Sequence, residues 1–470
     1  MNKRFSWRDA AHISAFAAGF VLLVLLANTY LIKTDTYSRL MLAEMQARDD
    51  IEVAFVGSSI VRDHFNTALI SEATGKNCFS ATIPYSSLPG SIAITEELYR
   101  TNSPEWTVLV VEPYTFETVR EGMEAQPRLF PYLSSPRTKL DYYLRLCRED
   151  GKYIDRLFLF RGFGVSSPLD ALKTVGLRHW PWQTYERLKP TLDPHARYEG
   201  GGFVRHTTPK RAGDAVRKKL IRQHTGYAYE LLDGSKEQLL AYRDLVRKNG
   251  SNLLVLVYPN MTAHNLAEPS FLGYNESLMR FCRDNDIPFV NFTLARPELY
   301  PCMDAYYFDV FHMVGEGADI FSAAFARFFN LYTAGEDIRP LFYADMSEYL
   351  DAVDFITNTW ISPYVPGMWD NAWAQDEQQI AQLAKGQDVF LANCNHGPRV
   401  TPEYRFFLRG EDGSETPLGP WNTLGVLTCI PGTFHGKTLR VYARPQGQQD
   451  AEAVWYDFCP GVDEAPTLVV

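Results

Sequence analysis

With 470 residues the chain exceeds what one ordinary hydrophobic core serves, so two or three domains are expected. Apolar residues make up 46% and aromatic residues 14%, a composition that builds packed cores rather than disorder. Lys plus Arg number 46 against 56 Asp plus Glu, a net charge of −10 with no basic, aromatic-interleaved cluster, which argues against nucleic acid as a partner.

Residues 1–12 read as a short basic tail carrying Lys3, Arg4 and Arg8. Ile13 to Ile32 then runs without a charged side chain, long enough as a helix to cross the hydrocarbon core of a bilayer. Basic residues before it favour a cytoplasmic N-terminus and a single-pass anchor, which puts the main part of the chain outside the cytoplasmic membrane. A cleaved signal peptide is the competing reading, with Ala27 as the small residue near its end. Residues 33–50 form a polar, partly helical link.

Val53–Gly57 is an apolar run of strand length that ends in Ser58, Ser59 and Ile60, and Asp63 is placed to cap a following helix. A second short strand is expected at 77–82, a helix at 90–100, and a buried strand at 106–111 ending in Glu112-Pro113. Alternating strands and helices indicate a parallel sheet, whose carboxyl edge is where such folds build sites. Residues 114–233 interrupt the pattern as an insertion that includes the pair Trp180 and Trp182, suited to sugar stacking or to core packing. The pattern resumes with a helix near 239–245, a strand at 253–258 ended by Pro259-Asn260, a helix near 272–282, a strand at 288–292 and a helix at 318–331. The α/β domain thus covers 51–332. From 353 to 470, short strands separated by turn signals indicate an all-β, sandwich-like domain.

The seven cysteines show no C-x-x-C and no zinc-like spacing, so neither a metal nor another cofactor is expected. Cys394, Cys429 and Cys459 could include one disulfide or be small buried hydrophobes.

A serine becomes a nucleophile when a base takes its proton and a third group orients that base. Ser59, His312 and Asp309 supply such a set, since Asp309 and His312 lie three residues apart just before the last helix. Gly57-Ser58-Ser59-Ile60 resembles the G-D-S-L block of the SGNH/GDSL hydrolases, with Ser58 in the aspartate position. Asp309-Val310-Phe311-His312 resembles that family's late D-x-x-H block. A G-S-S variant behind one anchor is also similar to DltD-like proteins and to SGNH proteins that work beside membrane-bound O-acyltransferases.

The resemblance implies a flavodoxin-like three-layer α/β/α fold, with Ser59 as nucleophile, His312 as base and Asp309 as orienting acid. It further implies ester hydrolysis or O-acyl transfer on a cell-surface glycan or acylated polymer. The chain departs from the family where a glycine and an asparagine normally complete the oxyanion hole. The remaining candidates are the backbone N–H of Ser59 and the hydroxyls of Thr82 and Ser86. Glu112 is expected to turn away or to pair with an arginine such as Arg62, and His64 to point away from the site. Asn260 is a weak pocket candidate, ordinary turn chemistry being its other reading. A non-enzymatic scaffold for surface-polymer acylation or export is the alternative for the whole chain, and a glycan-binding β domain a third reading.

Overall fold

Strand-length runs of valine, leucine and phenylalanine with no polar alternation must be covered on both faces. The computed structural model describes residues 7–32, 36–116, 125–161, 164, 167–169, 195–207, 231–260, 269–302, 306–309, 311–352, 356–364, 380–396, 400–449 and 453–461. Such runs form a five-stranded parallel sheet. Its strands are β1 (Val53–Gly57), β2 (Cys78–Thr82), β3 (Trp106–Val111) and, beyond a hairpin of β4 (Ala196–Gly200) and β5 (Phe203–His206), β6 (Asn252–Val257) and β7 (Phe289–Asn291). The order is β2-β1-β3-β6-β7. Parallel register sets Gly57 opposite Thr82, so the ends of β1 and β2 share one edge.

Among the described residues the α-helices of six residues or more, in chain order, are α1 (Trp7–Tyr30), α2 (Thr36–Ala47), α3 (Ser59–His64), α4 (Thr67–Thr74), α5 (Leu88–Leu98), α6 (Pro136–Asp150), α7 (Asp233–Lys248), α8 (Pro269–Asp284), α9 (Gly315–Thr333) and α10 (Met346–Ala352). Successive strand residues point to opposite faces, and two cores follow from that alternation. Ala54 and Val56 pack with α2, α5, α7 and α8. Val53 and Phe55 pack with α3, α4 and the phenylalanine row of α9. The second core is tied by edge-to-face rings, Phe55 to Phe325 at 5.1 Å and Phe65 to Phe321 at 5.1 Å. These contacts seat α9, and the loop before it, against the strand that leads to Ser59.

Helix α3 starts five residues earlier than its sequence suggested. Ser58, not Asp63, is the N-cap, accepting from the backbone N–H of Ile60. Asp63 lies inside the helix, buried and paired with Arg62. None of the seven cysteines forms a disulfide, so the expected option of one among Cys394, Cys429 and Cys459 is not taken. The link at 33–50 is mostly the helix α2, whose Leu40, Leu42 and Met45 are buried. Trp180 and Trp182 lie outside the described residues.

Beyond α10, two antiparallel sheets form from β8 (Ile356–Pro363), β9 (Asp388–His396), β10 (Pro402–Arg409), β11 (Glu415–Pro417), β12 (Val426–Cys429), β13 (Thr438–Pro445) and β14 (Val454–Phe458). Their orders are β11-β10-β13-β14 and β12-β9-β8. Ile361 and Phe390 of one meet Phe406, Val441 and Phe458 of the other in a shared core. The N-terminal helix is long and apolar enough over Trp7–Asn28 to span a membrane.

Gly57 is where the chain turns from β1 into α3. A Cβ there would meet Val110 O at 2.8 Å and Val61 Cγ2 at 2.8 Å, one of them backbone that cannot swing aside. Gly57→Ala should therefore destabilise the α/β domain by roughly 1–3 kcal/mol, the usual cost of overpacking. A lowered thermal midpoint of the full chain in detergent checks this; an unchanged midpoint would mean that β3 and α3 can part freely.

Candidate functional site

Ser59 is the first residue of α3, so its backbone N–H has no partner within the helix. Its side chain is partly exposed at the carboxyl edge of the sheet, while Ser58 beside it is buried. Ser58 donates to Glu112 Oε1 at 2.5 Å, and the Tyr258 hydroxyl reaches Glu112 Oε2 at 3.5 Å. Glu112 thus faces the nucleophile turn rather than away from it, and Arg62 is engaged by Asp63 instead. A buried carboxylate holding Ser58 fixes the turn that presents Ser59.

The loop before α9 brings the other residues. Ser59 Oγ lies 2.9 Å from His312 Nε2, across 253 positions of sequence. His312 Nδ1 lies 2.8 Å from Asp309 Oδ2 and 3.1 Å from Oδ1. Asp309 Oδ1 also accepts the backbone N–H groups of Phe311 and His312, each at 2.8 Å. An Asp–x–x–His turn closed in this way leaves the imidazole one orientation. Phe308 stacks on its ring at 5.6 Å and 15°.

Three residues outside the sequence expectation support this arrangement. His64, expected to point away, is fully buried. Its Nε2 lies 2.8 Å from Phe311 O and 3.2 Å from Met313 N, the backbone on either side of His312. Burial, then the nearby His312 charge, lower its pKa to about 3, so it stays neutral. Asp63 has a fully buried side chain bridged by Arg62 at 2.7 Å and 3.0 Å. Its Oδ2 lies 4.0 Å from His312 Nε2. His206, at the end of β5, has its Nε2 3.2 Å from Asp63 Oδ1, and its ring lies 4.6 Å from Phe308. Asp63 lies four residues after Ser59 on a helix, a spacing that places both on one side, so the sequence held that signal. Nothing local foretold His206, which arrives from the insertion.

Burial opposes charge on Asp63, but the Arg62 guanidinium and the His206 ring hold its carboxyl well below the usual range. Burial likewise opposes charge on His312, and the hydrogen bond to Asp309 and the Asp63 charge overcome it, raising the imidazole above its ordinary 6.5. Asp309 is held below its ordinary 3.8, burial being outweighed by the His312 hydrogen bond.

Of the side chains named for an oxyanion hole, Thr82 is buried opposite Gly57 with its Oγ1 unpartnered. Ser86 is buried as well, and its hydroxyl donates weakly to Ser87 O at 3.4 Å. Between them, Ile83 to Ser86 form a tight turn closed by Ser86 N–H to Ile83 O at 3.0 Å. Tyr85 occupies its third position at φ 62°, a conformation glycine takes more easily. Asn260, at the end of β6, is buried with neither side-chain polar atom hydrogen-bonded. Chemically, the cluster joins a hydroxyl, a raised imidazole and an ionised carboxylate in one line.

No protein-family model and no curated protein matches the chain. A crystal structure of a "putative acylhydrolase" from Bacteroides fragilis aligns with 62% of this chain and 94% of its own, at 12% identity and a TM-score of 0.30. A likeness that slight carries no argument about the reaction, which rests on the site itself.

Proposed function

We propose that the chain is a membrane-anchored, extracytoplasmic serine esterase or O-acyltransferase of SGNH type, acting on acyl esters of a cell-surface glycan. The observation that carries this reading is the 2.9 Å approach of Ser59 Oγ to His312 Nε2, with Asp309 on the far nitrogen. Ser59 Oγ bonds to the ester carbonyl carbon as its proton passes to His312. The bond to the alcohol oxygen then breaks, and His312 returns the proton to that oxygen. The acyl group is left on Ser59 until water or a sugar hydroxyl attacks it by the same route. Asp309 holds the imidazole tautomer and balances its charge. The Ser59 backbone N–H, unused within its helix, and the Thr82 hydroxyl, buried opposite Gly57 without a hydrogen-bond partner, are the candidate donors for the oxyanion. A scaffold role has less support, because an inactive fold has no need to keep this three-part alignment.

Turnover of a small chromogenic acetyl ester by the full chain in detergent tests the proposal. Ser59→Ala should abolish turnover, and His312→Ala should lower it about 10²–10⁴-fold, the usual worth of a positioned base. Thr82→Val should cost about 10²–10³ in kcat, as loss of one oxyanion donor does, and Ser86→Ala much less. Equal activity in wild type and Ser59→Ala would sink the reading.

The pH profile is a second check. His312 must be neutral to accept a proton, and its pKa is raised, so turnover should fall on acidification through a pH above 6.5. Asp63→Asn removes a charge that stabilises the imidazolium, so the acid limb should move to lower pH. A limb that stays put would mean that Asp63 does not sense His312.

A further inference from the structure

The membrane-side end of the molecule holds a cleft of about 440 Å³ between α1 and α6, within the size range of small-ligand sites. Phe20, Val21 and Val24 of α1 form one wall, and Phe130, Leu140 and Tyr143 face them. The piece behind the cleft is fastened to the helix. Asn28 donates to Leu157 O at 2.7 Å and accepts from Leu159 N–H at 3.1 Å. Phe158 packs edge-on to Phe20 at 6.3 Å.

This fastening sets a depth. Phe20 lies eight residues before Asn28, the end of the apolar stretch, or about 12 Å along the helix. The hydrocarbon core is only about 30 Å thick. If α1 spans the bilayer, the cleft lies within one leaflet. Leu140 is 56% exposed and Ile154 71% exposed on the same piece, beside the exposed charges of Arg137 and Asp155, a mixture that suits the boundary between lipid and water.

The cleft is not wholly apolar. Gln126 is 1% exposed and lines it, and its Nε2 has no hydrogen-bond partner. Arg156 is buried and donates to Gln126 Oε1 at 3.4 Å. The Lys139 ammonium stands 5.6 Å from the centre of the Phe130 ring. Among the described residues, two cations and one unused amide donor line the cleft and no carboxylate does, the charge that bears on Lys139 being that of Glu97. Hydrocarbon walls that also carry these polar groups match a chain that bears a phosphate.

We propose that this cleft binds an anionic glycerophospholipid of the surrounding leaflet, its acyl chain between α1 and α6 and its phosphate on Gln126, Lys139 and Arg156. The proposal rests on the anchor reading of α1 and not on the chemistry of Ser59. Bound lipid would brace the one-turn helix Gln126–Leu129, whose Arg128 guanidinium lies 5.5 Å from the centre of the Tyr85 ring in the turn after β2. Lipid composition and the catalytic edge would thereby be in contact.

The test reconstitutes the full chain in phosphatidylcholine vesicles with trace phosphatidylglycerol or phosphatidylcholine bearing a photoreactive acyl chain. After illumination, labelled peptides are mapped by mass spectrometry. Residues 136–161 should be labelled preferentially by phosphatidylglycerol. Lys139→Gln should lower that label about tenfold, the equivalent of one charge-assisted hydrogen bond. Leu140→Trp, which fills the cleft without touching its cations, should block labelling by either lipid. Equal labelling of residues 136–161 by both lipids would overturn the proposal. So would label confined to α1 together with cross-linking of Leu140→Cys to a second copy, which gives the cleft to a protein. Alkaline carbonate extraction separates the anchor question. A chain released from the vesicles with neither segment labelled would end the anchor reading and this proposal together, leaving the Ser59 chemistry untouched.

Discussion

The site depends on how one buried imidazole holds two distant stretches of chain together. His64 ends the helix that begins at Ser59, and its Nε2 touches the backbone on both sides of His312. In the neutral ring Nε2 serves one of these backbone groups at a time, as donor to Phe311 O or as acceptor from Met313 N–H, and either way the buried ring is held against the loop that carries His312. The aromatic core around Phe321 and Phe325 carries α9 to that position from below. Gly57 lets α3 start close enough to β3 for the two to meet.

Electrostatics then adjusts what packing has placed. Asp63 is an anion with no exposed side-chain surface, and an unpaired charge there would cost several kcal/mol. Arg62 and His206 make it tolerable. The charge that remains acts on His312, 4.0 Å away, together with Asp309 on the other nitrogen. The insertion earns its place in this network, since His206 meets both Asp63 and the Phe308 ring that stacks on His312. Arg205 beside it binds Asp319 through two hydrogen bonds at 2.8 and 2.9 Å, which fixes the hairpin to α9. Glu112 acts separately, through Ser58, on the turn that carries the nucleophile.

Much of this was legible in the sequence, for local reasons. Val53–Gly57, Trp106–Val111 and Asn252–Val257 are runs too apolar to be anything but covered strands, and the parallel sheet followed from their alternation with helices. Ser59, Asp309 and His312 were visible as residue types at the right strand and helix ends, and the structure brings their side chains within hydrogen-bond distance. What was hidden depended on distant partners. Asp63 resembled a cap because it is a polar residue near a helix start, yet Ser58 took that role and Asp63 was drawn inside by Arg62. Glu112 was expected to turn away or to pair with an arginine such as Arg62, because a carboxylate near an oxyanion is repulsive; instead it accepts a hydrogen bond from Ser58. His64 and His206 could not be placed without knowing which loops meet them.

The central claim is that Ser59 is activated by His312. The most direct measurement is reaction of the full chain with a fluorophosphonate, followed by mass spectrometric mapping of the modified residue. The account predicts phosphonylation of Ser59 alone, lost in His312→Ala while the protein stays folded. Folded wild-type chain that remains unmodified at Ser59, or modification that survives His312→Ala at an unchanged rate, would contradict it.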